Sequence, residues 1–390
     1  MEKPIIVQKY GGSSVATLEQ IKNISKRIVE KKKEGNRVVV VVSARGSTTD
    51  QLVEEAKQIA APDPIPLREA DMLLSVGERI SIAQLSIAIN KLGYEAKSLT
   101  GSQSGIITDS NHTNASILEI RPHRIIEELN KDKIVIVAGY QGVSVDKEIT
   151  TLGRGGSDLT AIALAKALGA VKCEILSNVD GIYNSNPSDN PDAKLMETIH
   201  PEEMVEMAAV GAKVVDISAA KFWQKYSGDL SKLVFSHSQH DVPGTIVTNE
   251  NMSANEITSI SIIKDSILVR IETGDKLKVF QELKEYNLVP VMVFTDSGNG
   301  YFSILFDKEK SEIILHEMKD LFVELDQSYS VVSAVGMNIG VDIGIVAQWE
   351  EVFSLSAISM NTSYSTNSIC SIVRKSDVDS IYSDVCKKFL

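Results

Sequence analysis

Residues 37–44 read RVVVVVSA, with five consecutive valines and no alternation of apolar and polar side chains. Strands that are covered on both faces of a parallel sheet are apolar throughout in this way. Similar short apolar segments occur at 133–140 (KIVIVAGY), 171–179 (VKCEILSNV) and 232–236 (KLVFS), with helical segments between them. Residues 1–250 are therefore predicted to form an α/β sandwich around a mainly parallel sheet.

The pattern changes near residue 250. Residues 251–390 read twice as strand, helix, strand, strand, helix, with the first copy opening at SILVRIE (266–272) and the second at YSVVSAVG (329–336). The segment ITSISIIKD (257–265) has no place in the first copy and is expected to complete the second. We predict two small α+β units in tandem, in a domain separate from the first.

Composition excludes several classes of protein. The chain has 390 residues and a net charge of −12, which opposes binding to nucleic acid or an anionic membrane. Its cysteines, Cys173, Cys370 and Cys386, form no C-x-x-C pair, so neither a disulfide framework nor a zinc site is expected. The N-terminus has no signal-peptide core, and no apolar run reaches the roughly 18 residues of a membrane span. A cytoplasmic location is expected.

Segments rich in glycine and polar residues follow the predicted strands, and ligands of open α/β sheets bind beyond the carboxyl ends of strands. The four segments contain Lys9, Gly11, Gly12, Ser13 and Ser14; Ser43, Ala44, Arg45, Gly46, Ser47, Thr48 and Thr49; Gly153, Arg154, Gly155, Gly156, Ser157 and Asp158; and Ser177, Asn178, Val179, Asp180, Gly181 and Tyr183.

These segments have the composition of an anion site. Glycines at strand-to-helix turns let backbone N–H groups approach a phosphate, and the helix N-terminus adds partial positive charge. Lys9 and Arg154 supply full charges. The chain has neither G-x-x-x-x-G-K-[ST] nor G-x-G-x-x-G, which disfavours a P-loop or a dinucleotide fold.

Several of the charged residues also have ordinary structural explanations. Asp158 is explained equally as an acid in the first turn of a helix. Glu78, in DMLLSVGERIS, and Lys213, in AAVGAKVVD, are by type more often solvated surface residues. His237 and His240 lie in a predicted loop with no acidic or cysteine partner nearby, and we predict that they are surface histidines.

Taken together, the motifs resemble those of the aspartate kinases in the amino-acid kinase family. In chain order they read KYGGSSV, SARGSTTD, MLLSVGERIS, SLTGSQSGIITD, VAGYQGV, TTLGRGGSDLTAIALA and VDGIY. The resemblance implies the α/β/α sandwich of that family over about residues 5–247. It also implies an enzyme that transfers the γ-phosphoryl group of ATP to the side-chain carboxylate of L-aspartate. The product would be 4-phospho-L-aspartate, formed in the first step towards lysine and threonine.

The resemblance implies roles for particular residues. Lys9, oriented by Asp158, would lie between the charges of nucleotide and substrate, and Arg154 would bind the substrate α-carboxylate. Glu78 would bind the α-ammonium group. The other implied contacts with L-aspartate are Ser43, Thr49 and Ser157. The other implied contacts with ATP are Gly11, Gly12, Ser13, Ser177, Asn178, Asp180, Tyr183 and Lys213, with the two glycines acting through backbone N–H. Mg²⁺ would accompany ATP, and no residue is assigned to it.

The nucleotide segment departs from the family in two places. The family commonly reads S/T-D-V where this chain has Ser177, Asn178 and Val179. It commonly reads D-P-R where this chain ends the triplet Asn-Pro-Ser with Ser188. These departures leave open a degenerate kinase that acts as an amino-acid sensor or scaffold. A kinase of another small amino acid, such as glutamate, also stays open, because Thr49, Glu78 and Arg154 do not fix the length of the substrate.

The duplicated unit resembles the paired ACT domains that serve aspartate kinases as an amino-acid sensor. The resemblance implies a homo-oligomer, a dimer or larger, and an amino-acid effector. The late strand reads MNTSYSTNSI where the family usually has an S-T-S-E-I-like strand. We therefore expect residues 251–390 mainly to dimerise the chain, with an altered or absent response to lysine and threonine.

Overall fold

The computed structural model describes residues 3–153, 155–212, 215–226, 232–250, 256–285, 288–295, 300–308, 318, 321–354 and 361–390. The strands are β1 Ile5–Tyr10, β2 Arg37–Val42, β3 Ala96–Leu99, β4 Ile106–Thr108, β5 Ile117–Ile120, β6 Ile134–Ala138, β7 Gln141–Ser144, β8 Ile149–Thr151, β9 Lys172–Ser177, β10 Thr198–Ile199, β11 Leu233–His237, β12 Thr245–Val247, β13 Ser259–Ile263, β14 Ser266–Glu272, β15 Met292–Thr295, β16 Tyr301–Asp307, β17 Glu324–Asp326, β18 Tyr329–Val335, β19 Asn361–Tyr364 and β20 Ser368–Arg374. The helices are α1 Leu18–Lys33, α2 Thr48–Ala60, α3 Leu67–Leu74, α4 Val76–Lys91, α5 His123–Asn130, α6 Gly156–Ala167, α7 Pro201–Ala209, α8 Ile217–Tyr226, α9 Lys276–Glu285, α10 Ile343–Ser354 and α11 Val378–Phe389.

Two compact units make up the chain. The first contains Met1–Ile182, Met196–Pro201 and Val215–Thr248, and the second contains Tyr183–Leu195, Glu202–Val214 and Asn249–Leu390. Two short segments that precede residue 250 thus group with the C-terminal part of the chain.

The first unit is built on an eight-stranded sheet in the order β10-β12-β11-β9-β1-β2-β6-β3. Its central strands are parallel, and β11 with β12 is an antiparallel pair. Val38 through Val42 of β2 are all fully buried, which confirms that both faces of this strand are covered. A second sheet, in the order β5-β4-β7-β8, belongs to the same unit. The mixed α/β architecture predicted from sequence is confirmed.

Helices α1 and α4 cover one face of the large sheet. Ile24 and Ile28 of α1 and Leu85 and Ile89 of α4 pack into one core cluster with Val40 of β2. The continuous stretch Leu67–Lys91 is long and apolar enough, by length and composition, to span a membrane, but half of its most apolar window is buried inside the protein. The packing of α4 explains its apolar character as that of a core helix.

The second unit contains two four-stranded antiparallel sheets, β15-β16-β14-β17 and β13-β18-β20-β19. In the second of these, β13 pairs with β18 through Ser259–Ile263 opposite Val331–Val335. The segment before the first copy therefore completes the second copy, as predicted. The helix predicted over residues 308–322 lies largely outside the described residues.

Candidate active site

The sheet order brings three of the four polar segments to one edge of the first unit. β1 lies between β2 and β9, and it is parallel to both. Tyr10 at the end of β1 is level with Val42 of β2 and with Leu176 of β9. The segments that follow these strands therefore leave the sheet side by side, and α6, which carries the fourth segment, packs against the same strands.

Lys9 and Asp158 form the charged centre of this edge. Lys9 is on β1 and Asp158 is in the first turn of α6. Lys9 Nζ lies 2.6 Å from Asp158 Oδ1, and the two side chains are only 11% and 13% exposed. An ammonium group this deep in a protein requires an opposite charge to offset its lost hydration, and Asp158 supplies it.

Gly11 and Gly12 perform different structural tasks. The Gly11 N–H donates to the Leu176 carbonyl at 3.2 Å, so it is not the free donor that the resemblance implied. A Cβ atom on Gly11 would lie 3.6 Å from Lys9 Nζ, which places the ammonium group directly over this residue. A Cβ atom on Gly12 would lie only 2.7 Å from the Ala44 carbonyl oxygen. Gly12 thus allows the turns after β1 and β2 to touch.

Glu78 is buried in the structure and is not the solvated surface residue that glutamates more often are. It lies near the start of α4 and is 3% exposed. Its Oε1 accepts the Ala44 N–H at 2.9 Å, whereas Oε2 is buried and has no hydrogen-bond partner within the described ranges. Burial raises the pKa of Glu78 to about 7, and the backbone N–H groups of Ala44 and of Glu78 itself oppose that rise. A carboxylate oxygen in this state is suited to binding a cation.

A sequence signal for the burial of Glu78 existed in the glycine before it. A Cβ atom on Gly77 would lie 2.7 Å from the Cβ of Ala44, so the start of α4 presses against the turn after β2. A Gly-Glu pair at the start of an otherwise apolar helix is consistent with such a close approach.

The predicted hydroxyl contacts take different positions. Ser43 is half-buried and donates its N–H to the Tyr10 carbonyl, and Thr49 is half-buried in the first turn of α2. Ser157 is 7% exposed and lies beneath the end of β6, where a Cβ atom on Gly139 would be 2.6 Å from its Oγ. Ser13 is exposed, whereas its neighbour Ser14 is buried.

The segment after β9 lies beside the segment after β11. Ser177 Oγ accepts the Val179 N–H at 3.2 Å, and Asn178 is exposed. Asp180 Oδ1 lies 3.1 Å from His240 Nε2, and the ring of His240 stacks on that of His237 with centroids 3.6 Å apart. The prediction that these histidines lack an acidic partner is therefore wrong. Asp180 is far from them in sequence, and the pairing of β9 with β11 brings them together.

Asp180, His237 and His240 could be taken for a metal site, since their ligand atoms lie within 4.8 Å of one another. His237 Nδ1, however, already accepts the Gln239 N–H at 3.0 Å. Burial and the neighbouring His240 lower the pKa of His237, and Arg27 donates to the backbone carbonyls of both histidines. A nitrogen already in use and an adjacent guanidinium group make this a poor cation site.

Three further predicted site residues are Tyr183, Arg154 and Lys213. Tyr183 belongs to the second unit, where it forms an antiparallel bridge with Leu195. Arg154 and Lys213 lie outside the described residues.

Comparison with known proteins agrees with this architecture. Residues 4–231 match the model of the amino acid kinase family. The chain is 38% identical to an aspartokinase of Mycolicibacterium smegmatis, over 99% of this chain and 96% of the relative, and 39% identical to one of Corynebacterium glutamicum, over 96% and 93%. Escherichia coli aspartokinase III, solved with aspartate and ADP, has a similar fold with a TM-score of 0.79 at 21% identity, over 97% of this chain and 98% of that chain. The chain belongs to the amino acid kinase family and, within it, to the aspartokinases.

Proposed function

We propose that this protein transfers the γ-phosphoryl group of ATP to the side-chain carboxylate of L-aspartate, giving 4-phospho-L-aspartate. The observation that carries the proposal is the buried Lys9 ammonium group, paired with Asp158 at the edge where the polar segments converge. The aspartokinase relatives and the solved complex of the E. coli enzyme with aspartate and ADP support the choice of substrates.

Lys9 addresses the main electrostatic problem of this reaction. Two negative charges about 4 Å apart repel by about 4 kcal/mol at an effective dielectric of 20, and a carboxylate must approach a polyphosphate more closely than that. An ammonium group fixed between them removes this repulsion and stabilises charge on the transferred group. Asp158 holds Lys9 in place. No general base is needed, because the attacking carboxylate is already ionised at neutral pH.

Glu78 and Arg154 would bind the two ends of the α-amino acid. The unpartnered Oε2 of Glu78 would accept from the substrate α-ammonium group, and that charge would favour the ionised form of Glu78. Arg154 would pair with the α-carboxylate in a bidentate manner that lysine cannot reproduce. Both contacts are common to all α-amino acids, so the preference for aspartate over glutamate rests on the space left around the side-chain carboxylate.

ATP with Mg²⁺ is the proposed phosphoryl donor. In phosphoryl-transfer sites Mg²⁺ keeps several waters and is held by one or two carboxylates together with the phosphates. The largely buried carboxylate of Asp158 and the turns after β1 and β9 fit such a complex, in which the ion would neutralise phosphate charge when bound. The chain's own task is to place Lys9 against the phosphates.

The proposal extends to the organisation of the protein. Residues 1–250 would form the catalytic domain, and residues 251–390 would dimerise the chain and bind any amino-acid effector. A cytoplasmic location is supported by the cysteines, which are all buried free thiols.

The test is ATP turnover by the purified protein with L-aspartate or with L-glutamate, while hydroxylamine traps the acyl phosphate. We expect hydroxamate to form with aspartate, and at a rate at least about tenfold lower with glutamate. The reason is that one methylene is worth about 1–3 kcal/mol in a fitted pocket. Equal rates would point to a broader amino-acid kinase. No hydroxamate with either at high ATP would favour the degenerate sensor.

A further inference from the structure

Asp71 is a buried carboxylate to which the proposed function gives no task. It lies on α3 and has no exposed side-chain surface. Its Oδ2 lies 2.6 Å from His112 Nδ1, and its Oδ1 accepts the Thr151 hydroxyl at 2.5 Å. The Thr113 N–H also donates to it, at 3.1 Å to Oδ1 and 3.2 Å to Oδ2. One carboxylate therefore joins α3 to two other segments of the first unit.

These bonds offset a considerable cost of burial. Burial raises the pKa of Asp71, and the bonds from Thr151, His112 and Thr113 oppose that rise. A carboxylate that accepts several donors in a dry site holds those donors firmly, because each donor would otherwise remain unpaired in the protein interior.

The segment held by Asp71 is the loop 109–116, between β4 and β5. Asp109 Oδ1 accepts the N–H groups of Asn111 and Ser116, and the Ala115 N–H donates to the Thr151 carbonyl at 2.9 Å. Thr113 has a φ of 68°, a conformation that a threonine adopts only where its surroundings impose it. The Asp71 carboxylate receives the N–H of this strained residue.

The loop in turn lies against the start of the GRGG segment. A Cβ atom on Gly153 would lie only 2.4 Å from Asn114 Oδ1, so the asparagine side chain occupies the space beside this glycine. Gly153 has a φ of +73° and immediately precedes Arg154 in the chain. Contacts thus run from Asp71, through the loop 109–116, to the residue next to the proposed α-carboxylate ligand.

We propose that Asp71 is a positioning residue for the amino-acid substrate, acting through the loop 109–116 on the turn that carries Arg154. The expected effect on the KM for L-aspartate rests on the proposed function. Asp71 touches neither substrate in this scheme, and its effect is confined to the amino-acid side of the reaction.

The test is Asp71→Asn in the full-length protein, with steady-state kinetics and amide hydrogen exchange measured together. We expect the KM for L-aspartate to rise by about 10-fold or more, as for loss of a hydrogen bond to a charged group, with the KM for ATP changed by less than about twofold. Amide hydrogen exchange in Asp71→Asn should become faster in residues 109–116 and in residues 150–157. The control is Glu128→Gln, another buried carboxylate with ion-pair partners, which should alter none of these values.

A merely structural role would raise both KM values or lower only the fraction of folded protein, and either result would overturn the inference. If Asp71→Asn does not fold, Asn114→Ala removes the contact with Gly153 and leaves the carboxylate intact; it should raise the same KM, and an unchanged KM overturns the inference. Wild-type protein without aspartate turnover would refute the proposed function instead. Amide hydrogen exchange in 150–157 then decides whether Asp71 acts on this turn: faster exchange there in Asp71→Asn supports the coupling, and unchanged exchange overturns it.

Discussion

The first unit buries ionisable side chains at the edge of its sheet, whereas the sheets of the second unit bury hydroxyls. Lys9 and Glu78 are 9% and 3% exposed. In the described strands β13–β20 the buried polar residues are all serines, such as Ser330 and Ser371. Ser330 donates to the Lys264 carbonyl, and Ser371 Oγ accepts from Trp349 Nε1. A bonded hydroxyl costs little to bury, but a charge costs several kcal/mol.

This difference indicates where chemistry is to be sought. Buried charges are concentrated at functional sites, so buried carboxylates and ammonium groups mark candidate sites. Within the described residues, the sheets of the second unit bury no charged side chain, although Ser259 Oγ and Ser333 Oγ are buried without a hydrogen-bond partner.

Lys9→Ala should produce the largest effect. We expect aspartate-dependent turnover to fall by about 10³-fold or more, because the charge that stabilises the transferred phosphoryl group is lost. The hydroxamate assay at saturating substrates measures this. Lys172→Ala is the matched control, since Lys172 pairs with Glu174 on β9 of the same sheet and should lose less than about twofold. Similar losses in both variants would contradict a special role for Lys9.

Glu78→Gln should weaken substrate binding and stabilise the fold. Loss of the charged hydrogen bond should raise the KM for aspartate by about 10- to 100-fold. Because the folded-state pKa of about 7 lies above the ordinary 4.5, wild-type stability falls as pH rises from 4.5 to 7. Glu78→Gln has no carboxylate to ionise at this position, so it avoids this loss of stability. The loss amounts to about 3 kcal/mol for this difference in pKa.

Denaturant unfolding at about pH 5 and pH 8 measures the effect on the free energy of unfolding. The stability advantage of Glu78→Gln over wild type should grow between the two. An advantage that is absent at pH 8, or equal at both values, would mean that Glu78 is not a buried carboxylate of raised pKa.

Gly12→Ala and Gly11→Ala should differ in stability. The methyl group on residue 12 would overlap the Ala44 carbonyl, and overpacking of this kind costs about 1–3 kcal/mol. The methyl group on residue 11 would make ordinary contacts and should cost less than about 1 kcal/mol. Urea unfolding compares them. Equal costs would show that the turns after β1 and β2 are not in contact.

Lysine and threonine, singly or together, should change aspartate-dependent turnover by less than about twofold, below the roughly 5-fold at which typical allosteric coupling begins. The reason is the departure of the late strand, MNTSYSTNSI (360–369), from the family pattern. Titration of each amino acid into the hydroxamate assay decides the matter. Strong inhibition by either would make the second unit a working sensor.

Sequence predicted the parts of the fold that local pattern determines. The valine run and the two copies of the small unit are examples, because strand burial and periodicity follow from neighbouring residues. The burial of Glu78 had only Gly77 as a local signal, because α4 is apolar on several sides and its packing depends on Ala44 from another segment. The bond from Gly11 to Leu176 and the pairing of Asp180 with His240 likewise join segments distant in the chain.

The most direct test of the central claim uses L-aspartate labelled with ¹⁸O in its side-chain carboxylate. The purified protein is incubated with ATP and hydroxylamine, and the released phosphate is examined by ³¹P NMR. Transfer to the carboxylate predicts one ¹⁸O atom in each phosphate formed with aspartate, since hydroxylamine attacks the carbonyl carbon and leaves the bridging oxygen on phosphorus. Unlabelled phosphate would mean that water is the acceptor and would contradict the proposed reaction.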